Sequence, residues 1–136
     1  MFQSVNHIAV YVEDREKAVA FYRDVLGAEF LFQLDNESDG IRIAMMNLGN
    51  MHIELLEIPE DKSAIVSAAK ATLNHFAVNV DDIEAAVEHI KSKGCVFEER
   101  GIYEVPHFGR PDLNLKVAFF HGINGERIEL FQEIYD

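Results

Sequence analysis

The chain has 136 residues, one cysteine and a formal net charge of −12. A single cysteine excludes an intrachain disulfide framework, and so acidic a surface disfavours nucleic acids and anionic membranes as partners. The N-terminal residues lack the pattern of a secretory signal, and no apolar run approaches the roughly 18 residues that a membrane span requires. We therefore expect a cytoplasmic protein without nucleic acid or membrane partners.

The first half of the sequence predicts a strand, a helix and three further strands. Alternating β-branched residues predict the first strand at 5–12, and apolar residues at helical spacing follow an N-cap at Asp14. The helix is expected to end at Gly27, where a left-handed cap is favoured. Gly49-Asn50 is typical of a hairpin turn. The three strands are predicted at about 28–35, 41–48 and 51–58.

The second half repeats the same order of elements. Its first strand is predicted at 73–80, and Asp81 with Glu84 fits a capping box at the start of a helix that ends at Gly94. Asn124-Gly125 predicts a second hairpin turn. The remaining strands are predicted at about 95–103, 115–121 and 126–133.

These two halves are an internal repeat. Asn74-His75-Phe76-Ala77-Val78 follows Asn6-His7-Ile8-Ala9-Val10 by 68 residues, and Ile128-Glu129-Leu130 follows Ile53-Glu54-Leu55 by 75 residues. The repeat predicts an α+β fold of two βαβββ modules. The first module, linker and second module are expected at 1–58, 59–71 and 72–136.

Each half carries one histidine and one glutamate at equivalent positions: His7 with Glu54, and His75 with Glu129. Strand periodicity places them on the face turned away from the helix. A mid-strand carboxylate in a half-buried sheet is costly unless it is paired or bound to a metal. One such glutamate is more often solvated, and one such histidine is more often an ordinary core residue. Their repetition instead favours two nitrogen and two oxygen ligands of one divalent ion, Zn, Ni, Co, Mn or Fe.

The sequence resembles the vicinal oxygen chelate superfamily, which includes glyoxalase I, methylmalonyl-CoA epimerase, extradiol dioxygenases and thiol-transferase antibiotic-resistance proteins. The resemblance is carried by the segments NHIAVYVEDREKAVAFYRDVLG, HIELLE, NHFAVNVDDIEAAV and GINGERIELFQ. It implies that the curved mixed sheets of the two modules pair as half-barrels around a central metal site. It also implies that the family's four metal ligands fall on His7, Glu54, His75 and Glu129. Dioxygenases and resistance transferases usually use two histidines and one glutamate, so Glu54 favours glyoxalase or epimerase chemistry. The resemblance also implies that Glu129, or else Glu54, is the catalytic base.

The resemblance leaves three functions open. The first choice is a metal-dependent lyase or isomerase of the glyoxalase I type, acting on a small thiohemiacetal, with glutathione and CoA as the alternative thiol carriers. The second is an epimerase acting on a CoA thioester, favoured by the segment ELLEIPEDKSAI and by Tyr11 where bacterial glyoxalase I tends to carry an arginine. The third is a drug-binding resistance protein without catalytic activity. A homodimer is expected in each case, because half-sheets leave open edges.

The extra residues of the second half fall within 101–114, a proline-containing loop that includes Phe108 and Arg110. A surface loop without a role is one interpretation. The other is a loop that overhangs the site, in which Arg110 meets an anionic substrate. The predicted substrate-binding residues are therefore Tyr11, Phe108 and Arg110.

Overall fold

A helix lying on one face of a four-stranded mixed sheet is the plan of both halves of the chain. The computed structural model describes residues 1, 3, 6–62, 73, 75–108 and 110–136. The chain divides into two units, Met1–Thr72 and Leu73–Asp136. The predicted linker lies largely outside the described residues, apart from a 3-10 turn at Glu60–Lys62, and stays a prediction.

The first unit contains β1 (His7–Val12), α1 (Arg15–Asp24), β2 (Glu29–Asp35), β3 (Arg42–Leu48) and β4 (Met51–Glu57). The strand order is β1-β4-β3-β2, with β1 and β4 parallel and the other neighbours antiparallel. Helix α1 begins after Asp14, whose side chain accepts a hydrogen bond from the amide of Lys17 at 3.0 Å, as predicted. It buries Ala18 and Tyr22 against the sheet.

The second unit contains β5 (Phe76–Asn79), α2 (Ile83–Ser92), β6 (Tyr103–Val105), β7 (Leu113–His121) and β8 (Arg127–Tyr135). Its strand order, β5-β8-β7-β6, matches that of the first unit, with β5 and β8 parallel. Ile83, Val87 and Ile90 recur at helical spacing and are buried where α2 packs on β7 and β8. The expected α+β fold of repeated βαβββ units is confirmed. No helix in the described part of the chain is long and apolar enough to cross a membrane.

The predicted strand at 95–103 is wrong. Phe97 makes an isolated bridge to Phe120, and the chain then turns, with the amide of Gly101 donating to the carbonyl of Glu98 at 3.0 Å. Gly101 has φ +64°, a conformation that favours glycine and interrupts strand pairing. Strand β6 therefore begins only at Tyr103.

The helix cap in the second unit also differs from the prediction. The N-cap is Asp82, whose side chain accepts from the amide of Ala85 at 3.1 Å. Asp81 and Asp82 carry identical side chains, so the residue type does not determine which of them caps the helix. The cap is the one whose backbone position brings its carboxylate to a free amide of the first turn.

Candidate metal centre

Each unit brings one histidine and one glutamate together on the sheet face opposite its helix. His7 Nε2 lies 3.8 Å from Glu54 Oε2, and His75 Nε2 lies 3.3 Å from Glu129 Oε1. Two ligands at about 2.0–2.2 Å from one ion lie roughly 3–3.5 Å apart when they occupy neighbouring coordination positions. Each pair therefore has close to the separation that two ligands of one metal ion require.

Strand register explains why the same pair forms twice. In the first unit Ala9 lies opposite Glu54 in the parallel pairing of β1 with β4, and in the second Ala77 lies opposite Glu129 in that of β5 with β8. The histidine two residues before each alanine shares its face of the sheet. Because alanine adds only a methyl group beside the carboxylate, the longer imidazole can reach across to it.

The imidazole of His7 is also held from its other side. Its Nδ1 lies 2.8 Å from Oδ1 of Asn6. A carbonyl oxygen there favours the tautomer with the proton on Nδ1, which leaves the lone pair of Nε2 directed to the side of Glu54. This is the arrangement that a metal-binding histidine needs.

The imidazole of His75 has an aromatic neighbour. Its ring centroid lies 5.3 Å from that of Phe119, with the planes at 86°. Phe119 is the register partner of Glu129 across β7 and β8. The guanidinium carbon of Arg127 lies 3.8 Å from the centroid of the same phenyl ring. The phenyl ring of Phe119 thus contacts both a cation and the predicted ligand His75.

Glu98 accepts hydrogen bonds from two cation-forming side chains. Arg127 donates from Nε at 2.7 Å and from Nη2 at 2.9 Å to its two carboxylate oxygens. His121 Nε2 lies 2.8 Å from Oε2 of the same carboxylate. The hydrogen bonds from Arg127 are the largest cause that lowers the pKa of Glu98 to about 2. Burial, the second-largest effect, opposes this, and the hydrogen bond from His121 adds to the lowering. Sequence reasoning missed Glu98 because it assigned this residue to a continuous strand.

The predicted substrate-binding residues lie on exposed parts of the two units. Tyr11 is exposed on the same face of β1 as His7. The ring of Phe108 lies 6.0 Å from that of Phe131, two residues after Glu129 on β8. Arg110 donates two hydrogen bonds to the carboxylate of Asp112, at 2.9 and 2.8 Å. The substrate-binding roles of Tyr11, Phe108 and Arg110 stay predictions.

The donor set suits a divalent ion of intermediate softness. The described residues contain no group of three or more His, Cys, Asp or Glu that could hold a metal. Each unit instead supplies one imidazole nitrogen and one carboxylate, and both are ligands that Zn, Mn, Fe, Co and Ni accept. The ligand types that each unit supplies therefore fit such an ion.

Comparison with known proteins identifies the family. A family model described as the Glyoxalase/Bleomycin resistance protein/Dioxygenase superfamily matches residues 4–102. The mitochondrial methylmalonyl-CoA epimerase of Mus musculus is 39% identical over 93 residues, which cover 65% of this chain and 52% of that protein. The chain thus spans about half the length of the mammalian epimerases that it matches.

Two further similarities cover nearly the whole chain. An ethylmalonyl-CoA/methylmalonyl-CoA epimerase of Cereibacter sphaeroides is 32% identical over 126 residues, covering 90% of this chain and 94% of that protein. The fosfomycin resistance protein FosX of Listeria monocytogenes, solved in complex with Mn(II) and sulfate ion, has a TM-score of 0.69 at 17% identity, covering 97% of this chain and 93% of that chain. The latter similarity concerns the fold alone. The repeated βαβββ unit and the paired histidines and glutamates agree with these similarities. The chain therefore belongs to the Glyoxalase/Bleomycin resistance protein/Dioxygenase superfamily, which is the vicinal oxygen chelate family that its motifs resemble.

Proposed function

We propose that the chain is a metal-dependent epimerase that moves a proton on the carbon next to the thioester carbonyl of an acyl-CoA. The observation that carries the proposal is the recurrence of a His–Glu pair at ligand spacing in both units. Relatives named as methylmalonyl-CoA epimerases favour this chemistry over the glyoxalase I-like lyase that the sequence suggested first. A homodimer that acts on a small thioester is part of the same proposal.

The proposed metal ligands are His7, Glu54, His75 and Glu129, which together offer two nitrogen and two oxygen donors. A divalent ion bound there would supply positive charge that stabilises negative charge developing on the thioester oxygen. The hydrogen bond between Asn6 and His7 supports this role, because metal-binding imidazoles commonly donate their second nitrogen proton to an oxygen.

Glu129 is the proposed base that takes the proton from the α-carbon. Its carboxylate lies on the same face of β8 as Phe131, against which Phe108 of the long loop packs. An apolar surround of this kind excludes water from a reacting carbon. Epimerisation also requires that a proton return to the opposite face of the carbon, and Glu54 is the second carboxylate available for that step.

Tyr11, Phe108 and Arg110 are the proposed substrate contacts. Arg110 is exposed, and so is its partner Asp112. Because exposed ion pairs contribute little free energy, Arg110 can exchange Asp112 for an anionic group of the substrate at small cost. A planar guanidinium suits both carboxylate and phosphate groups, which an acyl-CoA carries.

Elemental analysis and calorimetric titration with Mn(II) or Co(II) test the metal site. We expect one divalent ion per chain, lost when His75 is replaced by alanine, whereas His89→Ala on α2 retains it. A drug-binding protein without metal would hold no stoichiometric ion. Undiminished binding by His75→Ala would contradict the proposed ligand set.

Proton exchange in D₂O tests the reaction. With metal-loaded protein and one epimer of methylmalonyl-CoA, we expect NMR to show deuterium at the α-carbon together with the second epimer. Lactoylglutathione formed from the methylglyoxal–glutathione thiohemiacetal, without exchange in the CoA ester, would favour the lyase instead.

Glu129→Gln is the variant that separates metal binding from proton transfer. It keeps a ligand oxygen and the side-chain size but removes the base. We expect metal to be largely retained and turnover to fall by at least about 100-fold, the usual contribution of a positioned base. Normal turnover by the metal-bound variant would exclude Glu129 as the base and leave Glu54 as the candidate.

A further inference from the structure

We infer that Arg127 is a positioning residue that fixes the orientation of His75 through the ring of Phe119. This inference rests on the proposed role of His75 as a metal ligand. It concerns a chain of three contacts within the second unit, from Glu98 to Arg127, from Arg127 to Phe119, and from Phe119 to His75.

The first contact fixes the plane of the guanidinium. Arg127 donates from Nε and Nη2 to the two oxygens of Glu98, at 2.7 and 2.9 Å. Such a two-point pairing fixes both the position and the plane of an arginine. His121 Nε2, at 2.8 Å, holds the same carboxylate from another side. The cation is thus fixed on its strand rather than free to swing into solvent.

The second contact places that cation on an aromatic ring. The guanidinium carbon lies 3.8 Å from the centroid of Phe119, well inside the roughly 6 Å over which a cation attracts a ring face. Phe119 is 8% exposed. A phenyl ring that is buried and covered by a fixed cation has little freedom to rotate about its χ angles.

The third contact restrains the ring of His75, the proposed metal ligand. The rings of His75 and Phe119 lie 5.3 Å apart with their planes at 86°, the perpendicular geometry that aromatic pairs favour. Phe119 also lies opposite Glu129 in the sheet, so it borders both members of the His–Glu pair. An imidazole held in place before metal arrives loses less conformational entropy when it binds, which strengthens binding.

The first unit does not repeat this device. The residue opposite Glu54 at the place of Phe119 is Met45, and His52 precedes Glu54 where Arg127 precedes Glu129. The imidazole of His7 is instead held by the side chain of Asn6. The two halves therefore orient equivalent histidines by different contacts, which makes the His7 ring an internal reference for the experiment.

Three variants of the full-length chain test the inference. Arg127→Met keeps the apolar stem of the side chain but removes the charge and both hydrogen bonds. Arg127→Lys keeps the charge without the planar two-point contact. Lys116→Met is the matched control, because it removes an ion pair with Glu84, at 3.0 Å, on the opposite face of the neighbouring strand β7.

The first measurement uses metal-free protein, in which NMR follows the ring protons of His75 and His7. We expect Arg127→Met to shift the His75 ring resonances and leave those of His7 in place. The second measurement is calorimetric titration with Co(II) alone, in which we expect Arg127→Met to weaken binding about 10-fold. This is the lower end of the losses in metal affinity that follow when a residue supporting a metal ligand is replaced. Arg127→Lys should fall between Arg127→Met and wild type, and Lys116→Met should match wild type in both measurements.

The possible results separate this inference from the proposed function. If wild type binds Co(II) and Arg127→Met binds it equally well with unchanged His75 resonances, the positioning role is wrong and the metal site stands. If Arg127→Met and Lys116→Met weaken binding alike, the effect is one of general stability and the positioning role is again wrong. If wild type binds no Co(II), the proposed metal function itself fails.

Discussion

Arg15, at the start of α1, is a charged side chain that is almost completely buried, with 3% of it exposed. Its guanidinium pairs with the carboxylate of Asp35 on β2 and donates to the carbonyl of Ile43 on β3 at 3.3 Å. A buried cation is tolerated only when such partners replace water. Arg15 therefore ties the first turn of the helix to two strands of the sheet.

Arg15→Met should destabilise the first unit. The substitution keeps most of the buried apolar stem but removes hydrogen bonds made by a charged donor, so we expect a loss of about 1–3 kcal/mol in urea unfolding. Arg23→Met is the control on the same helix, because the Arg23–Asp24 pair is more than half exposed and should contribute little to stability. Equal stability of the two variants would show that the burial of Arg15 does not matter.

At the scale of elements, the turn that contains Glu98 is tied to β7 and β8 by His121 and Arg127. The pKa of Glu98 is lowered from its ordinary value of 4.5 to about 2, chiefly by hydrogen bonds from Arg127. A carboxylate with a lower pKa in the folded state stabilises the fold above its unfolded pKa. That stabilisation is lost as the pH falls through the folded value.

Glu98→Gln should consequently cost stability in a pH-dependent way. We expect the difference in unfolding free energy between wild type and variant to be full above about pH 5 and to shrink as the pH approaches 2. Urea unfolding at several pH values measures it. Glu99→Gln, at an exposed position of the same turn, should show no such trend. A difference that is constant from pH 2 to 6 would contradict the role assigned to Glu98.

The elements that could be predicted from the sequence are those with a strong local sequence pattern. Apolar periodicity predicted both helices. The repeated histidine and glutamate predicted four ligands of one ion, which stays a prediction, and the structure brings these residues together two by two, one pair within each unit. The turn at Glu98 was missed because 95–103 reads as a strand, whereas the chain turns between Glu98 and Gly101, which has a positive φ. The stack of Arg127 on Phe119 was missed because it depends on register between β7 and β8, which no local pattern encodes.

At the scale of the whole molecule, β2 is an edge strand with an apolar surface. In the described part of the chain it is hydrogen-bonded only to β3. Its exposed apolar residues are Phe30, Leu31, Phe32 and Leu34. An edge that is both unpaired and apolar favours association with another chain, which supports the proposed homodimer.

Light scattering should therefore find a dimer at micromolar concentration. Phe32→Lys should shift it to monomer, because a charge on an edge strand opposes pairing. Val96→Lys, at an even more exposed apolar position outside the strands, should leave the dimer intact. A monomeric wild type would contradict the homodimer itself. A Phe32→Lys protein that remains dimeric would move the interface away from β2.

Two similar halves in one chain also have a consequence for inheritance. An assembly of two identical half-chains must carry every residue twice, so a change that improves one His–Glu pair is imposed on the other. Here the pairs are encoded separately, and one imidazole contacts Asn6 while the other contacts Phe119. Mutation can thus act on one half without altering the other, and selection is free to specialise a pair for binding while its counterpart specialises for proton transfer.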